Sequence, residues 1–237
     1  MNDHDHSYKL LFSHPRMVED LLRGFVHEEW VGRIDFSTLE RVSGSYVSAD
    51  LREREDDIVW RVRLQDQWVY VYLLLEFQSQ PDPFMALRML VYVGLLYQEL
   101  VKQKQLTKEG RLPPVLPLVL YNGEKPWRAA QRMDELIEPV PGGLAGYRPL
   151  MRYLLLDESA YSAEQLEPLA NLAAALFRME RSGAPEELRR VVQLLAGWLR
   201  APEQEGLRRA FTIWIKRVLL PVRMPEIEIP QVADLNE

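Results

Sequence analysis

The sequence predicts an α/β protein that ends in a helical region, and three observations lead to this prediction. Residues 57–64 and 68–78 are rich in β-branched and aromatic residues and are separated by only three residues, which predicts a β-hairpin. An amphipathic segment over 84–104 leads to another apolar run over 115–121, as in a strand, crossover helix, strand unit. Beyond residue 158 the periodicity is that of helices alone.

The elements before the hairpin follow from shorter patterns. Apolar residues at three- and four-residue spacing predict a helix over 15–26, with Pro15 near its first turn. A shorter helical turn over 6–12 precedes it. Residues 41–48 predict a short strand in which Gly44 marks a bulge or a close backbone approach.

The second strand of the hairpin is apolar on both of its pleat faces. A strand of this kind lies in the middle of a sheet that is covered on both sides. One more strand is predicted after the βαβ unit, over residues 151–156. Three amphipathic helices over 163–181, 185–200 and 203–220 and an extended tail over 221–237 complete the predicted chain.

The composition excludes several classes of protein. The 237 residues include no cysteine and carry a formal net charge of −6. Without cysteine the chain can hold no disulfide, thiolate zinc site or cysteine nucleophile. The acidic balance argues against a polybasic nucleic-acid binder but not against a local basic groove. The sequence shows no signal peptide and no apolar run of membrane-spanning length, so we expect a cytoplasmic protein.

Two acidic residues lie at matching ends of the predicted hairpin. Asp57 begins its first strand, and Glu76 lies near the end of the second, two residues before Gln78. In an antiparallel hairpin the start of the first strand lies beside the end of the second, so the two carboxylates should converge. The alternation of side chains along a strand places Glu76 and Gln78 on one face of the sheet.

Converging carboxylates repel each other unless a cation or a proton lies between them. Mg²⁺ binds one or two carboxylates and keeps its other positions for water and phosphate oxygens, so this pair predicts a magnesium site for phosphodiester chemistry. Acidic residues at strand ends are also common as solvated rim residues. Glu76, however, ends the most apolar segment of the chain, where an unpaired carboxylate is costly, and this placement favours a functional pair.

Several blocks of residues occur in a fixed order between positions 4 and 128. They are His4-Asp5, Tyr8-Lys9, Leu11-Phe12-Ser13, Ser43-Gly44-Ser45-Tyr46-Val47, Asp57-Ile58-Val59-Trp60, Glu76-Phe77-Gln78-Ser79-Gln80-Pro81-Asp82, Arg88 with Tyr92, Leu118-Val119-Leu120-Tyr121-Asn122-Gly123, and Pro126-Trp127. Together these blocks resemble the Rpn (YhgA-like) recombination-promoting nucleases, a family also described as transposases. The last third of the chain carries little of the resemblance.

This resemblance implies a PD-(D/E)XK, restriction-endonuclease-like core over residues 1–157, with a mixed sheet flanked by helices and magnesium-dependent cleavage of DNA. Asp57 matches the aspartate of the motif and Glu76 its second acid, so both are the expected metal ligands and catalytic residues. Gln78 matches the position where the general pattern has lysine, and the resemblance includes a glutamine there. Because glutamine donates only a neutral hydrogen bond to the attacking water, we expect slow cleavage or a cation supplied from elsewhere.

Lys9 and Arg88 are the candidate cations and the candidate DNA contacts. Arg88 lies four positions before Tyr92, so both project from one helix face and could point at the site or at a phosphate. An arginine whose stem packs on the helix while its head reaches water explains the same pattern, and Lys9 equally suits a solvated position. The helical region over 158–220 mixes acidic and basic residues, a surface that also suits a homodimer.

Two functions therefore remain open from the sequence. The leading one is a cytoplasmic, Mg²⁺-dependent DNA endonuclease that promotes recombination. The rival is a catalytically weak or inactive DNA-binding or protein-interaction module on the same fold, which the missing motif lysine and the acidic charge support. Transposition proper would add strand transfer, and no residue pattern indicates a reader of transposon ends.

Overall fold

The computed structural model describes residues 3–42, 57–76, 81–123, 125–139, 142–182, 184–223 and 235, with the side chains of residues 3–5, 57 and 76 left undescribed. The chain divides into two compact units. The sheet unit consists of residues 33–158, and the helical unit combines residues 1–32 with 159–237. The boundary near residue 158 lies one residue from the predicted one, but the first 32 residues group with the C-terminal helices instead of with the sheet.

The sheet unit contains one mixed, five-stranded sheet in the order β1-β2-β3-β4-β5. The first three strands are antiparallel neighbours, whereas β3, β4 and β5 are parallel. Their bounds are β1 (Ile34–Arg41), β2 (Asp57–Leu64), β3 (Gln67–Glu76), β4 (Val115–Tyr121) and β5 (Leu154–Asp157). The predicted α/β class, the hairpin and the strand, helix, strand unit are confirmed.

Helix α3 (Met85–Lys102) connects β3 to the parallel strand β4 and covers one face of the sheet. Its residues Met89 and Tyr92 pack with Tyr72 and Leu74 of β3 in a single buried cluster. Leu73, on the opposite face of β3, is fully buried as well. Both faces of β3 are therefore covered, as its doubly apolar sequence predicts, and each such buried side chain contributes roughly 1.5–3 kcal/mol of hydrophobic stabilisation.

The structure contains a first strand that the sequence analysis did not predict. Strand β1 runs over Ile34–Arg41 and shares only Arg41 with the strand predicted over 41–48, of which residues 43–48 lie outside the described residues. Only Ile34, Phe36 and Leu39 point into the core, and the polar residues between them weaken the apolar pattern. A register irregularity between Asp35 and Glu40 interrupts the pairing with β2, which also hides the simple alternation of a strand.

The helical unit is built from both ends of the chain. Helices α1 (Asp3–Phe12) and α2 (Pro15–Phe25) pack with α5 (Leu172–Arg181) and α7 (Glu205–Trp214). Tyr8 of α1 is fully buried, with its ring 6.4 Å from the ring of Trp214. The remaining helices are α4 (Ala163–Leu166), α6 (Pro185–Trp198) and α8 (Leu220–Arg223), with a π-helical turn over Ile215–Leu219.

The predicted helix over 163–181 is in fact two helices. Pro168 follows α4, and Asn171 begins α5 as its N-cap, with its side-chain oxygen accepting a hydrogen bond from the backbone nitrogen of Ala174 at 2.7 Å. A proline in a helix interior removes a backbone donor and disfavours the helix before it. The helix α8 extends three residues past the predicted end at 220, and most of the predicted tail lies outside the described residues. Over the described part of the chain, no helix has the length and apolar character needed to cross a membrane.

Candidate functional site

The register of the hairpin fixes the relation between the two candidate acids. Asp57 is the Cα partner of Leu74, not of Glu76. Because Glu76 lies two residues beyond Leu74 on the same strand, positions 57 and 76 occupy one face of the sheet as diagonal neighbours. Such neighbours have Cα atoms about 7–8 Å apart. This spacing allows two carboxylates to share one cation between them.

The same row of positions continues across the parallel strands. Glu76 is the Cα partner of Tyr121, and Tyr121 is the Cα partner of Asp157. The three residues end β3, β4 and β5, so they mark the carboxyl edge of the parallel part of the sheet. In open α/β sheets this edge is where ligands bind. Asp157 was missed by sequence reasoning, although it follows three leucines just as Glu76 does.

Tyr121 is buried at the centre of this edge. Its hydroxyl donates a hydrogen bond to the backbone oxygen of Lys125 at 2.7 Å, and its ring lies 4.8 Å from that of Trp127 in an edge-on contact. Gly123 passes so close that a Cβ atom there would lie 2.1 Å from the Tyr121 hydroxyl. Only glycine fits at this approach, which explains the Asn122-Gly123 pair after the strand.

A second tyrosine anchors the segment that follows β4. The Tyr153 hydroxyl donates to the backbone oxygen of Ala130 at 3.0 Å and accepts a hydrogen bond from the indole nitrogen of Trp127 at 3.1 Å. Burial raises the pKa of Tyr153 to about 12; the hydrogen bond from Trp127 opposes this rise, and the carboxylates of Glu135 and Asp82 add to it. The hydroxyl therefore stays protonated at neutral pH and acts as a structural donor.

Arg88 lies on the face of α3 that packs on the sheet. Its Nε donates a hydrogen bond to the Tyr92 hydroxyl at 2.7 Å, and its guanidinium carbon lies 5.6 Å from the centre of that ring. The Tyr92 ring in turn lies 5.8 Å from the ring of Tyr72. Tyr72 shares its sheet face with positions 74 and 76, so α3 holds Arg88 over the same face as the candidate acids.

The two remaining candidates, Lys9 and Gln78, are not part of the described sheet unit. Lys9 lies half-buried on α1 of the helical unit, whereas Asp57, Glu76 and Arg88 belong to the sheet unit. Gln78 lies outside the described residues. Among the side chains that are described, no group of three or more His, Asp or Glu residues could hold a metal ion, and this search did not include the side chains of Asp57 and Glu76.

Two cavities are lined by other described residues. One of about 500 Å³ lies at the turn between β2 and β3, the opposite end of β3 from Glu76, and is lined by residues including Arg63, Trp68 and Lys108. Another of about 340 Å³ lies in the helical unit beside Arg178 and Glu187. The candidate acids are located by strand register.

Comparison with known proteins finds several relatives of this chain. The chain is 29% identical to the recombination-promoting nuclease RpnD of Escherichia coli O157:H7 over 139 residues, which is 57% of this chain and 52% of that protein. It is 32% identical to RpnA of Escherichia coli K12 over 125 residues, or 52% of this chain and 41% of RpnA. It is 29% identical to the inactive nuclease-like protein RpnE of the same strain over 121 residues, or 51% of this chain and 39% of RpnE.

These matches cover about two fifths to one half of the length of the relatives. No solved structure matches the chain. A family model described as "Putative transposase, YhgA-like" matches residues 2–206, which is most of the chain and includes the whole sheet unit. The protein is therefore a member of the YhgA-like transposase family, which includes the Rpn recombination-promoting nucleases.

Proposed function

We propose that this protein is a Mg²⁺-dependent DNA endonuclease with a PD-(D/E)XK-type site, in which Asp57 and Glu76 hold the metal. One observation carries the proposal: the register of β2 and β3 sets positions 57 and 76 as diagonal neighbours on one sheet face, at the carboxyl edge of the parallel strands. Two residues far apart along the hairpin are brought together there, and both are carboxylates.

The donor set fits magnesium. Carboxylate oxygens are the ligands that Mg²⁺ prefers, and a site with one or two of them leaves room for water and phosphate oxygens. When bound, the ion lowers the pKa of a coordinated water and neutralises charge on the phosphodiester. Asp57 and Glu76 would fix its position, and the Gln78 side-chain amide would orient the attacking water by a hydrogen bond.

Gln78 is neutral where the general motif has a lysine, so the site needs a positive charge from another residue, and we assign that charge to Arg88. Its Nε donates a hydrogen bond to the Tyr92 hydroxyl, and a guanidinium is a permanently charged group whose planar shape suits a phosphate. Its place on α3, over the sheet face of positions 57 and 76, supports a role in neutralising the phosphate under attack. We assign it to that role, and Lys9 to a contact with the DNA backbone.

The relatives support the reaction class and its substrate. RpnD and RpnA are named recombination-promoting nucleases, and recombination is a process of DNA. We extend to this chain both phosphodiester hydrolysis in DNA and the promotion of recombination.

A second candidate is DNA binding without turnover. Two of the relatives, RpnE and YjiP, carry names that call them inactive, so loss of activity occurs among proteins similar to this one. A chain of this kind would retain the sheet and its DNA contacts but lack productive metal chemistry.

Supercoiled-plasmid nicking distinguishes the two candidates. Purified wild type, Asp57→Asn and Glu76→Gln are compared in EDTA, Mg²⁺ and Mn²⁺, with Asp66→Asn as the matched control, because Asp66 is an exposed acid in the turn at the other end of the hairpin. We expect metal-dependent nicking in wild type and in the control, and a loss of at least about a hundredfold in both site variants, the scale of losing a main electrostatic contact.

Two outcomes would contradict this proposal, the first its site and the second its reaction. Nicking that survives both site substitutions would remove Asp57 and Glu76 from the site. Absence of nicking by wild type in either metal, together with DNA retardation that persists in EDTA, would establish the binding module instead.

A further inference from the structure

The turn between β2 and β3 and the loop that follows α3 border a cavity of about 500 Å³. Its volume is within the range of small-molecule sites, about 300–1,000 Å³. Trp68, on its wall, lies eight residues before Glu76 on β3, which is roughly 26 Å along the strand. The cavity is therefore separate from the candidate metal site.

Trp68 holds two arginines at this cavity. The guanidinium carbons of Arg61 and Arg63 lie 4.5 Å and 4.3 Å from the centre of the Trp68 ring. The Nη1 of Arg63 also donates a hydrogen bond to the backbone oxygen of Asp66 at 3.1 Å. These contacts fix the plane of the Arg63 guanidinium, and Arg63 lines the cavity. Nucleobases stack on arginine guanidinium planes as they do on aromatic rings.

The rest of the wall combines apolar surface with side-chain amides. Leu106, which is 40% exposed, and Pro113 supply the apolar part. The amides are those of Gln65, Gln67 and Gln105. A side-chain amide donates and accepts hydrogen bonds side by side, and this is the pattern that it uses to pair with the edge of a nucleobase.

The charges around the cavity favour an anion. Arg63 and Lys108 line it together with Asp66 and Glu109, so the charges of the wall alone balance. Residues 102–111, however, include four basic residues and one acidic residue, and this excess makes the mouth of the cavity positive. Lys108 is exposed, which places its ammonium group where a phosphate can approach from solvent.

Two turns with unusual backbone conformations border the same cavity. Of the non-glycine residues that the structure describes, Gln65 and Lys104 have positive φ angles, of 55° and 57°. Gln65 lies in the hairpin turn and Lys104 follows the end of α3, and glycine or asparagine is usual at such positions. Gln65 lines the cavity, and Lys104 precedes Gln105, which lines it too. Strained residues of this kind concentrate at functional sites.

We infer that this cavity binds one nucleotide, with its base against the guanidinium plane of Arg63 and its phosphate beside Lys108. The glutamine amides contact the edge of the base. A free nucleotide and a nucleotide of single-stranded DNA share this chemistry, since both present an unpaired base and a phosphate, whereas a base in a duplex is stacked and paired. Binding here does not depend on the proposed nuclease activity, because no residue of the cavity belongs to the candidate metal site.

Isothermal titration calorimetry of the full chain in EDTA measures this binding without cleavage. The probes are 2′-deoxyadenosine 5′-monophosphate (dAMP) and its two parts, deoxyadenosine and deoxyribose 5-phosphate. We expect dAMP to bind at least about tenfold more tightly than either part, since each part lacks one of the two contacts. If either part bound as tightly as dAMP, the cavity would not recognise a nucleotide, and the proposal would be overturned.

Substitutions locate the site. Arg63→Gln and Lys108→Gln should each weaken dAMP binding by at least about tenfold, since each removes a charged contact. Arg128→Gln, at an exposed position in the segment after β4, is the matched control and should bind dAMP as wild type does. Lys108 is exposed, so Lys108→Gln should keep the circular dichroism of wild type. In NMR spectra, the indole N–H signal of Trp68, identified by its loss in Trp68→Phe, should shift when dAMP is added.

A single strand of about eight deoxyadenylates distinguishes the two sources of the nucleotide. If it binds at least about tenfold more tightly than dAMP and loses this affinity in Arg63→Gln and Lys108→Gln, the site takes a DNA strand. If the two affinities are equal, it takes free nucleotides. Absence of dAMP binding up to about 10 mM, or dAMP affinity that is unchanged in both Arg63→Gln and Lys108→Gln, would overturn the proposal.

Discussion

Asp20 is a buried carboxylate that joins helix α2 to the start of α5. Its Oδ2 accepts a hydrogen bond from the backbone nitrogen of Leu172 at 2.7 Å, and Asn171 donates to its backbone oxygen at 3.3 Å. Burial raises the pKa of Asp20, while the Leu172 hydrogen bond and the nearby Arg16 act in the opposite direction. The buried nitrogen of Leu172 needs the carboxylate as a hydrogen-bond acceptor, but burial makes the negative charge of that carboxylate unfavourable.

The raised pKa gives stability a defined dependence on pH. Between the ordinary value of 3.8 and the raised folded value, the folded state holds more protons than the unfolded state, so the free energy of unfolding falls as pH rises. Asp20→Asn keeps an acceptor and abolishes this titration, so its urea-unfolding free energy should vary less over the same acidic range. If the stability of Asp20→Asn varied with pH in parallel with that of wild type, the titration of Asp20 would not be the cause of the pH dependence.

The hydrogen-bonding role of Asp20 is tested at neutral pH. Asp20→Ala leaves the buried nitrogen of Leu172 without its acceptor, and we expect a loss of about 1–3 kcal/mol in the free energy of unfolding. Asp20→Asn should lose less than this.

Arg88 offers a residue-level test of the site that separates function from folding. Arg88→Gln should slow metal-dependent nicking by at least about tenfold, since it removes the charged donor that we propose for the phosphate, while the urea-unfolding free energy changes by less than about 1 kcal/mol. Arg111→Gln, an exposed arginine in the loop between α3 and β4, is the matched control. If Arg88→Gln and Arg111→Gln nicked DNA at the same rate, Arg88 would have no part in cleavage.

At the scale of elements, the start of α5 depends on one polar side chain. Asn171 caps the helix through Ala174 and reaches back to Asp20 with its amide nitrogen. Its amide nitrogen also lies where a side chain at Gly24 would come, since a Cβ there would be 2.5 Å away. Asn171 thus has two roles: it begins α5, and it connects α5 to α2.

Substitution of this cap should have a measurable cost. Asn171→Ala removes the acceptor for the nitrogen of Ala174 and the contact with Asp20, and we expect a loss of about 1–2 kcal/mol in the free energy of unfolding by urea. The comparison is Gln193→Ala, an exposed residue on α6, which should change stability by less than about 0.5 kcal/mol. Equal losses in the two variants would show that the cap is not what determines the stability of α5.

At the scale of the whole molecule, the two units differ in how they are assembled. The sheet unit uses a continuous segment, residues 33–158, and most of its contacts join strands that neighbour each other in sequence. The helical unit joins α1 and α2 to helices that lie about 150 residues or more further along the chain, as the hydrogen bond between Leu172 and Asp20 shows. Contacts of such long separation form slowly, so we expect the sheet unit to fold first.

Metal binding should be visible in the stability of the whole protein, independently of cleavage. At a Mg²⁺ or Mn²⁺ concentration tenfold above its dissociation constant, binding adds about 1.4 kcal/mol, which corresponds to roughly 3–6 °C in Tm for a protein of this size. Asp57→Asn and Glu76→Gln should lose most of this increase, and Asp66→Asn should keep it. A metal-induced increase that is the same in all four proteins would place the ion elsewhere.

Much of the sheet unit could be read from the sequence because its signals are local. The hairpin, α3 and β4 each show their own periodicity within a window of fewer than twenty residues. The placing of positions 57 and 76 on one face of the sheet follows from the short turn and the register it sets. Strand β1 and the break between α4 and α5 were not predicted, because polar residues interrupt the pattern of β1 and because Pro168 and Asn171 end one helix and begin another within an apolar segment.

The sequence by itself determined the α/β class, the hairpin that carries Asp57 and Glu76, and membership of the family, since all three depend on neighbouring residues and their order. The tertiary structure decided the rest. It set Asp57 opposite Leu74, aligned Glu76 with Tyr121 and Asp157, and grouped the first two helices with the last ones. These features depend on strand order and on contacts between distant segments, and periodicity along a chain carries no information about which distant segment will pack against which face.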